Sequence, residues 1–324
     1  MHKRYVVTQE DRPGEAWLAR FNAGREAAER WYRGECRTAL PTATECRLAL
    51  QRHMPELLPH YDEACALVGD DEAAHCLLSH YRPAPSPMGC SQAVWLGEGG
   101  PALIRNMDFP LDMITERFEL TAWSGKRVMA KAQRPWGGCL DGMNEDGLVA
   151  SLTAGGGQSQ GLGFSVILML RYVLETCRRV DEAVEALSRI PIVLSQNVTL
   201  LDRSGAYATV FLGPDRAPVV SRVAACTNHQ ETPPQPRAGN TSAERLQTLL
   251  AALDEPAMTL ASLIARFLEP PLYSRRVGFT TAYTAVYRPA EGRVDYLWPG
   301  RGWCQRFDRF VPGEYVHDFG ELET

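Results

Sequence analysis

A cysteine stands at position 90, directly after Gly89, where a proline-rich stretch, Tyr81-Arg82-Pro83-Ala84-Pro85-Ser86-Pro87, gives way to a strand-like segment, Ser91 to Leu96. A lone cysteine is ordinarily a small packing residue. This one sits where chemistry is also open to it. The glycine ahead permits backbone angles closed to other residues, so the Gly89 carbonyl can be presented to the Cys90 thiolate under local strain. Attack there gives a thioester, and water releases Cys90 with a free α-amine. That amine, with a reference pKa of about 8, suits the role of general base to its own thiol.

Arg105 and Asp108 follow within Ile104-Arg105-Asn106-Met107-Asp108, on the far side of a predicted hairpin whose arms, Ser91 to Leu96 and Ala102 to Met107, flank Gly97-Glu98-Gly99-Gly100. On their own, an Arg and an Asp three apart can be a surface ion pair worth under about 1 kcal/mol. A hairpin returns the chain beside its start, however, and so brings both to Cys90, where Arg lowers the thiol pKa and Asp orients the amine. His229, in Thr227-Asn228-His229, offers a different base for Cys90, as in an unprocessed Cys–His hydrolase, or is a structural turn residue. The glycines from Gly155 to Gly163, ahead of a predicted helix, can cradle a phosphate or form a flexible loop. They match neither of the glycine-rich nucleotide fingerprints.

The elements that must position these residues change character at about residue 88. From Glu15 to about His80, apolar positions recur at helical spacing, as in Ala16, Ala19, Ala23, Ala27 and Trp31. Beyond the prolines, strands are predicted at Gly147 to Thr153, Val198 to Asp202, Ala206 to Leu212 and Val219 to Thr227. A terminal hairpin, Thr281 to Tyr287 with Arg293 to Trp298, turns at Pro289-Ala290-Glu291-Gly292. Helices are predicted at Phe164 to Leu187, Ala243 to Leu253 and Leu260 to Leu268. Antiparallel strands interrupted by paired helices indicate layered α+β rather than a doubly wound parallel sheet.

Composition narrows the function classes. The 324 residues are 45% hydrophobic and 23% charged, with a net charge of −5, which disfavours nucleic acid and anionic membranes as partners and favours a small-molecule or peptide substrate. No apolar run reaches the length of a signal peptide or membrane span, which places the chain in the cytoplasm. Nine cysteines without a CxxC pair argue against a zinc or redox site, and no metal or cofactor is expected.

Gly89-Cys90, Arg105-Asn106-x-Asp108 and Asp141-Gly142-Met143-Asn144-Glu145-x-Gly147-Leu148, in this order and spacing, resemble the Ntn-hydrolases that include penicillin V acylase and bile salt hydrolase. The acyl-CoA:6-aminopenicillanic acid acyltransferase branch is the most similar. Leu170-Arg171-Tyr172-x-Leu174-Glu175-Thr176-Cys177, Thr227-Asn228-His229, Asn240-x-Ser242-x-x-Arg245 and Tyr283-Thr284-Ala285-Val286-Tyr287 also look like that branch, so the resemblance spans about Gly89 to Trp303. It implies an αββα sandwich carrying an N-terminal helical pro-segment, residues 1–89, retained as a small subunit after autocatalytic cleavage between Gly89 and Cys90. Residues 90–324 form the catalytic domain. It further implies Cys90 as nucleophile with Arg105 and Asp108 beside it, Asn197 as oxyanion side chain, Thr153 near the backbone donor, and Arg245 as the distal active-site arginine. Two departures stand out: Thr153 occupies the place of the Asn of bile salt hydrolases and the Tyr of penicillin V acylases, and Met88 replaces the Asp that precedes Gly in the penicillin-type acyltransferase. The implied activity is cleavage of a non-peptide or small peptide amide through a Cys90 acyl-enzyme, the acyl group passing to water or to an amine. Acyl thioesters are alternative donors and a homo-oligomer is compatible. A catalytically silent binding module with the same sandwich is the reading from another class.

Overall fold

In the computed structural model, which describes residues 1–34, 40–84, 89–134, 137–231 and 241–323, the chain opens with a strand, β1 (His2–Gln9). Four helices follow: α1 (Glu15–Arg33), α2 (Ala43–His53), α3 (Leu58–Val68) and α4 (Glu72–Ser79). Next come β2 (Gly89–Trp95), β3 (Ala102–Asp108), β4 (Arg117–Thr121), β5 (Val128–Ala132), β6 (Cys139–Asn144) and β7 (Val149–Ala154). Helices α5 (Val166–Thr176) and α6 (Val180–Arg189) lead to β8 (Gln196–Leu201), β9 (Tyr207–Leu212), β10 (Val219–Ser221) and β11 (Ala225–Cys226). The chain ends with α7 (Ser242–Asp254), α8 (Leu260–Phe267), β12 (Arg275–Arg276), β13 (Phe279–Arg288), β14 (Arg293–Trp298), β15 (Arg301–Arg306) and β16 (Gly313–Asp318).

These strands form two facing sheets. One has the order β10-β9-β8-β7-β6-β5-β4-β1-β16 and the other β11-β2-β3-β13-β14-β15, with β12 beside β13. Helices α5 and α6 cover the outer face of the first sheet, α7 and α8 that of the second. The architecture is therefore an αββα sandwich. Strand β2, entirely buried, has to be apolar or paired on both faces. Alternate residues Ala93 and Trp95 join Leu249, Leu263 and Phe267 in the outer helix layer, while Cys90 and Val94 enter the core between the sheets.

The segment ahead of Cys90 is woven into this core. β1 pairs in parallel with β4 and antiparallel with β16, and the buried Tyr5 crosses the sandwich to donate its hydroxyl to the Ala282 carbonyl at 2.7 Å. The N-terminal helices begin as the sequence dictates. Thr42 accepts from the Glu45 backbone while the Glu45 carboxylate accepts from Thr42, a reciprocal cap that starts α2, and the Asp71 side chain caps α4.

Three readings of the sequence need correction. The helix predicted from Phe164 to Leu187 is two helices, because the Asn144 side chain donates to the Leu174 and Cys177 carbonyls and satisfies the end of α5 before the chain turns into α6. The strand predicted from Val219 to Thr227 splits into β10 and β11, which belong to different sheets. Gly89 lies in extended β2 and outside the positive-φ glycines, so its need for glycine is steric: a Cβ there would sit 3.1 Å from Asp108 Cβ and 3.3 Å from Phe279 Cδ1. Pro85 to Met88 of the proline stretch, Cys36 and Asn240 lie outside the described residues.

Candidate active site

The hairpin fixes the register that matters. In the β2–β3 ladder Gly89 faces Asp108, Cys90 faces Met107 and Gln92 faces Arg105. Cys90 and Arg105 both point between the sheets, while Asp108, one residue out of phase with Met107, turns toward α7. Arg105 Nη2 reaches Cys90 Sγ at 3.0 Å, and its Nη1 donates to Asp141 Oδ2 on β6 of the opposite sheet at 2.5 Å. Asp141 also accepts the hydroxyls of Tyr283 and Tyr287 from β13. One carboxylate with no solvent exposure thus holds three donors and anchors the guanidinium that touches the Cys90 sulfur. The Asp141-to-Leu148 and Tyr283-to-Tyr287 motifs, quoted above without roles, meet here. Their pairing joins two sheets and could not be seen in sequence spacing.

Burial pushes the Cys90 thiol up to about 12, against the opposing pull of Arg105 and Arg245 and with Asp108 and Asp141 adding to the rise. Burial likewise opposes the Arg105 charge, but Tyr283, Cys90 and Asp141 more than offset it and leave the guanidinium firmly protonated. The buried thiol is therefore a poor nucleophile until a base removes its proton.

The nitrogen of Cys90, the future α-amine if the Gly89–Cys90 bond is cut, donates to Asn228 Oδ1 at 2.9 Å. Arg245 Nη2 donates to the same oxygen at 2.8 Å, while Arg245 Nη1 donates to the Cys90 carbonyl at 2.6 Å and to Ser91 Oγ at 2.5 Å. Two donors on that oxygen fix the orientation of the amide. Asn228 Nδ2 is consequently a buried donor with no partner among the described residues. Asp108 accepts from Thr281 Oγ1 at 2.7 Å and lies 3.7 Å from Arg245, beside the Gly89–Cys90 peptide but with no hydrogen bond to the Cys90 nitrogen among the described residues. Its carboxyl is raised by burial, in spite of Arg245, the Thr281 hydrogen bond and Arg105.

Asn197 and Thr153 face each other across β8 and β7. Asn197 Nδ2 lies within hydrogen-bond reach of Thr153 Oγ1 at 3.0 Å and of the Thr227 and His229 carbonyls at 3.2 and 3.1 Å. Thr153 Oγ1 donates to the Thr227 carbonyl at 2.8 Å, and the Leu152 carbonyl, preceding Thr153, accepts from Arg105 Nη2 at 3.4 Å. Asn197 thus clamps the carbonyls of the two residues that flank Asn228, and it is Asn228 that touches Cys90. His229 Nδ1 is engaged by Ser242 Oγ at 2.8 Å, and burial, then Arg245, pulls its pKa down. The glycine run packs tightly: a Cβ on Gly155 would sit 2.7 Å from the Ser195 backbone, and one on Gly156, at φ 79°, 3.0 Å from the Asn228 carbonyl. Its glycines thus let the backbone approach β8 and Asn228.

A cavity of about 770 Å³ opens beside the cluster, lined by Gly89, Asp108, Asn228, Arg245, Tyr273 and Phe279 among others.

The profile of the acyl-coenzyme A:6-aminopenicillanic acid acyl-transferase family matches residues 95–303, which include Arg105, Asp108, Asp141, Asn228 and Arg245 and begin just after Cys90. The chain belongs to this family. Membership makes it an enzyme that acts on amide C–N bonds. No curated protein matches the sequence. Among solved structures, a mutant of the conjugated bile acid hydrolase from Clostridium perfringens superposes with a TM-score of 0.50 at 14% identity, over 71% of this chain and 97% of that one. A second variant of the same hydrolase gives a TM-score of 0.52 at 12% identity, over 72% and 98%. Penicillin V acylase from Agrobacterium tumefaciens is 18% identical over 68% of this chain and 87% of its own, at a TM-score of 0.49. The two hydrolase superpositions show a shared fold.

Proposed function

We propose that this family member is a self-processing Ntn amide hydrolase, cut between Gly89 and Cys90, whose mature nucleophile is the Cys90 thiol. The observation that carries the reading is the pair of contacts on one residue: Arg105 at 3.0 Å from Sγ and Asn228 at 2.9 Å from the backbone nitrogen. In the precursor the thiolate attacks the Gly89 carbonyl, the C–N bond breaks, and the amine leaves with the thiol proton. Water then cleaves the resulting thioester to a Gly89 carboxylate and a free thiol. In turnover the amine takes the thiol proton, Sγ attacks the amide carbonyl, and the proton passes to the leaving amine. A second water releases the acid.

The resemblance assigned the oxyanion side chain to Asn197, but Asn228 suits that role better: its Nδ2 is unpartnered and carried by the residue that already touches Cys90. Asn197 then acts as a positioning residue. Thr153 belongs to the backbone-donor strand, Arg245 holds the Cys90 carbonyl and Asn228, and Asp108 supports Arg245. The substrate is a small-molecule amide. Hydrolysis is favoured, and transfer of the acyl group to an amine, with acyl thioesters as donors, is the second reading that family membership supports.

Two measurements test the proposal. Purified protein should give fragments of residues 1–89 and 90–324 under denaturing conditions while remaining one particle natively, since β1 and Tyr5 tie the first to the second. Active protein with only the original N-terminus, or a Cys90→Ala variant that is still cut at Gly89, sinks it.

A further inference from the structure

A cavity of about 910 Å³ lies between α1 and the segment Asp112 to Arg117 and shares no lining residue with the cavity beside Gly89. Its walls are apolar where Ala27, Trp31, Ala84, Met113 and Ile114 line it. Four of its cations are already neutralised or tied down. Arg20 pairs with Glu10, Arg30 with Glu26 and Arg117 with Glu119, while Lys3 is held by the Leu111 and Ile114 carbonyls at 2.6 and 2.7 Å. Arg134 differs. Its guanidinium has no hydrogen-bond acceptor and no carboxylate among the described residues and lies over the Trp31 ring at 4.3 Å. Burial alone draws its pKa down to about 10, with no acidic neighbour to offset the loss of water.

Desolvating a guanidinium without an anion is costly, and a protein normally pairs such a group. The backbone of Arg134 also stands at φ 72°, a left-handed conformation that a residue with a long side chain adopts rarely and that recurs at ligand sites. Trp31 Nε1, beneath it, is a buried donor without an acceptor among the described residues. The two residues come from opposite sides of Cys90 in sequence. Asp112 and Glu116 also line the cavity, but neither offsets the burial of Arg134, so the Arg134–Trp31 end calls for an amphipathic anion, and one guanidinium fits one carboxylate through two parallel hydrogen bonds.

We propose that this cavity is a second binding site, separate from the one beside Gly89, for an apolar ligand bearing one carboxylate, with the carboxylate on Arg134 and the apolar body against Trp31, Met113 and Ile114. The site uses residues from both halves of the chain, so its ligand bridges them.

Calorimetric titration of the full protein with phenylhexanoate and with its neutral amide tests this. The carboxylate is expected to bind at least roughly 10-fold more tightly, the range of one charge-assisted contact in a partly buried site. Arg134→Gln should erase the difference while leaving the amide's affinity in place, and Cys90→Ala should leave both unchanged, which keeps this outcome independent of the catalytic proposal. Arg134→Met, suited to a buried position, replaces the glutamine variant if that fails to fold, with the same expectation. Equal affinities for the two probes in the unaltered protein, or a preference that survives removal of the guanidinium, overturns the assignment.

Discussion

Replacing Arg105 by Met tests the electrostatics of the proposed nucleophile, Cys90, directly, because the guanidinium is the cation in contact with Sγ. Two unit charges about 4 Å apart interact by about 4 kcal/mol at an effective dielectric near 20, or about three pH units in the thiol. The thiol already stands near 12 with Arg105 in place. Arg105→Met therefore lowers the thiolate fraction by about a thousandfold, and Gly89–Cys90 cleavage should slow at least that much. The single variant also leaves Asp141 buried without its cation, a loss of about 3 to 5 kcal/mol that could be mistaken for a catalytic effect. The double variant Arg105→Met/Asp141→Asn separates the two. Removing both charges of a buried pair is close to neutral for stability, so the double variant should melt near the parent temperature yet remain uncut. Cleavage is followed by intact mass after refolding, and stability by thermal denaturation in parallel. A folded double variant that matures at the parent rate would refute the assignment of Arg105 as the group that makes the thiol reactive.

Asn228→Ala should abolish turnover of any amide substrate, whereas Asn197→Ala should lower kcat less and respond in part to Asn197→Gln; equal and total losses at both positions would reject the division into donor and clamp. His229→Gln should leave cleavage and turnover within about tenfold, because its ring faces Ser242; loss on the scale of a missing general base, about 10² or more, would favour the Cys–His mechanism instead. Lys131 is buried among the Thr115 and Ala132 carbonyls and its pKa is lowered by desolvation, against the pull of Asp141, to about 7. The unfolded chain holds that proton up to about 10.4, so between about 7 and 10.4 it binds more protons than the folded one and stability rises with pH. Lys131→Met should remove this rise, with its stabilising effect largest at or below about pH 7; melting curves with the same pH slope for both proteins would contradict it.

What the sequence determined by itself is local. Caps such as Thr42 with Glu45, the apolar spacing of α1 and the glycine turn between β2 and β3 depend on neighbours in the chain, and the hairpin alone sufficed to bring Arg105 to Cys90. The His2 to Gln9 segment has only weak alternation in the sequence, and β4 and β16 supply the pairing on both sides of β1. Tertiary structure decided the rest of the site. Asp141 acts on Arg105 across the gap between two sheets, and Asn228 reaches Cys90 because β11 pairs with β2 while β10 stays on the other sheet. A sequence pattern can mark an asparagine in either place, Asn197 or Asn228. Which amide meets Cys90 is set by where each strand enters its sheet, a distance in space that spacing along the chain does not carry.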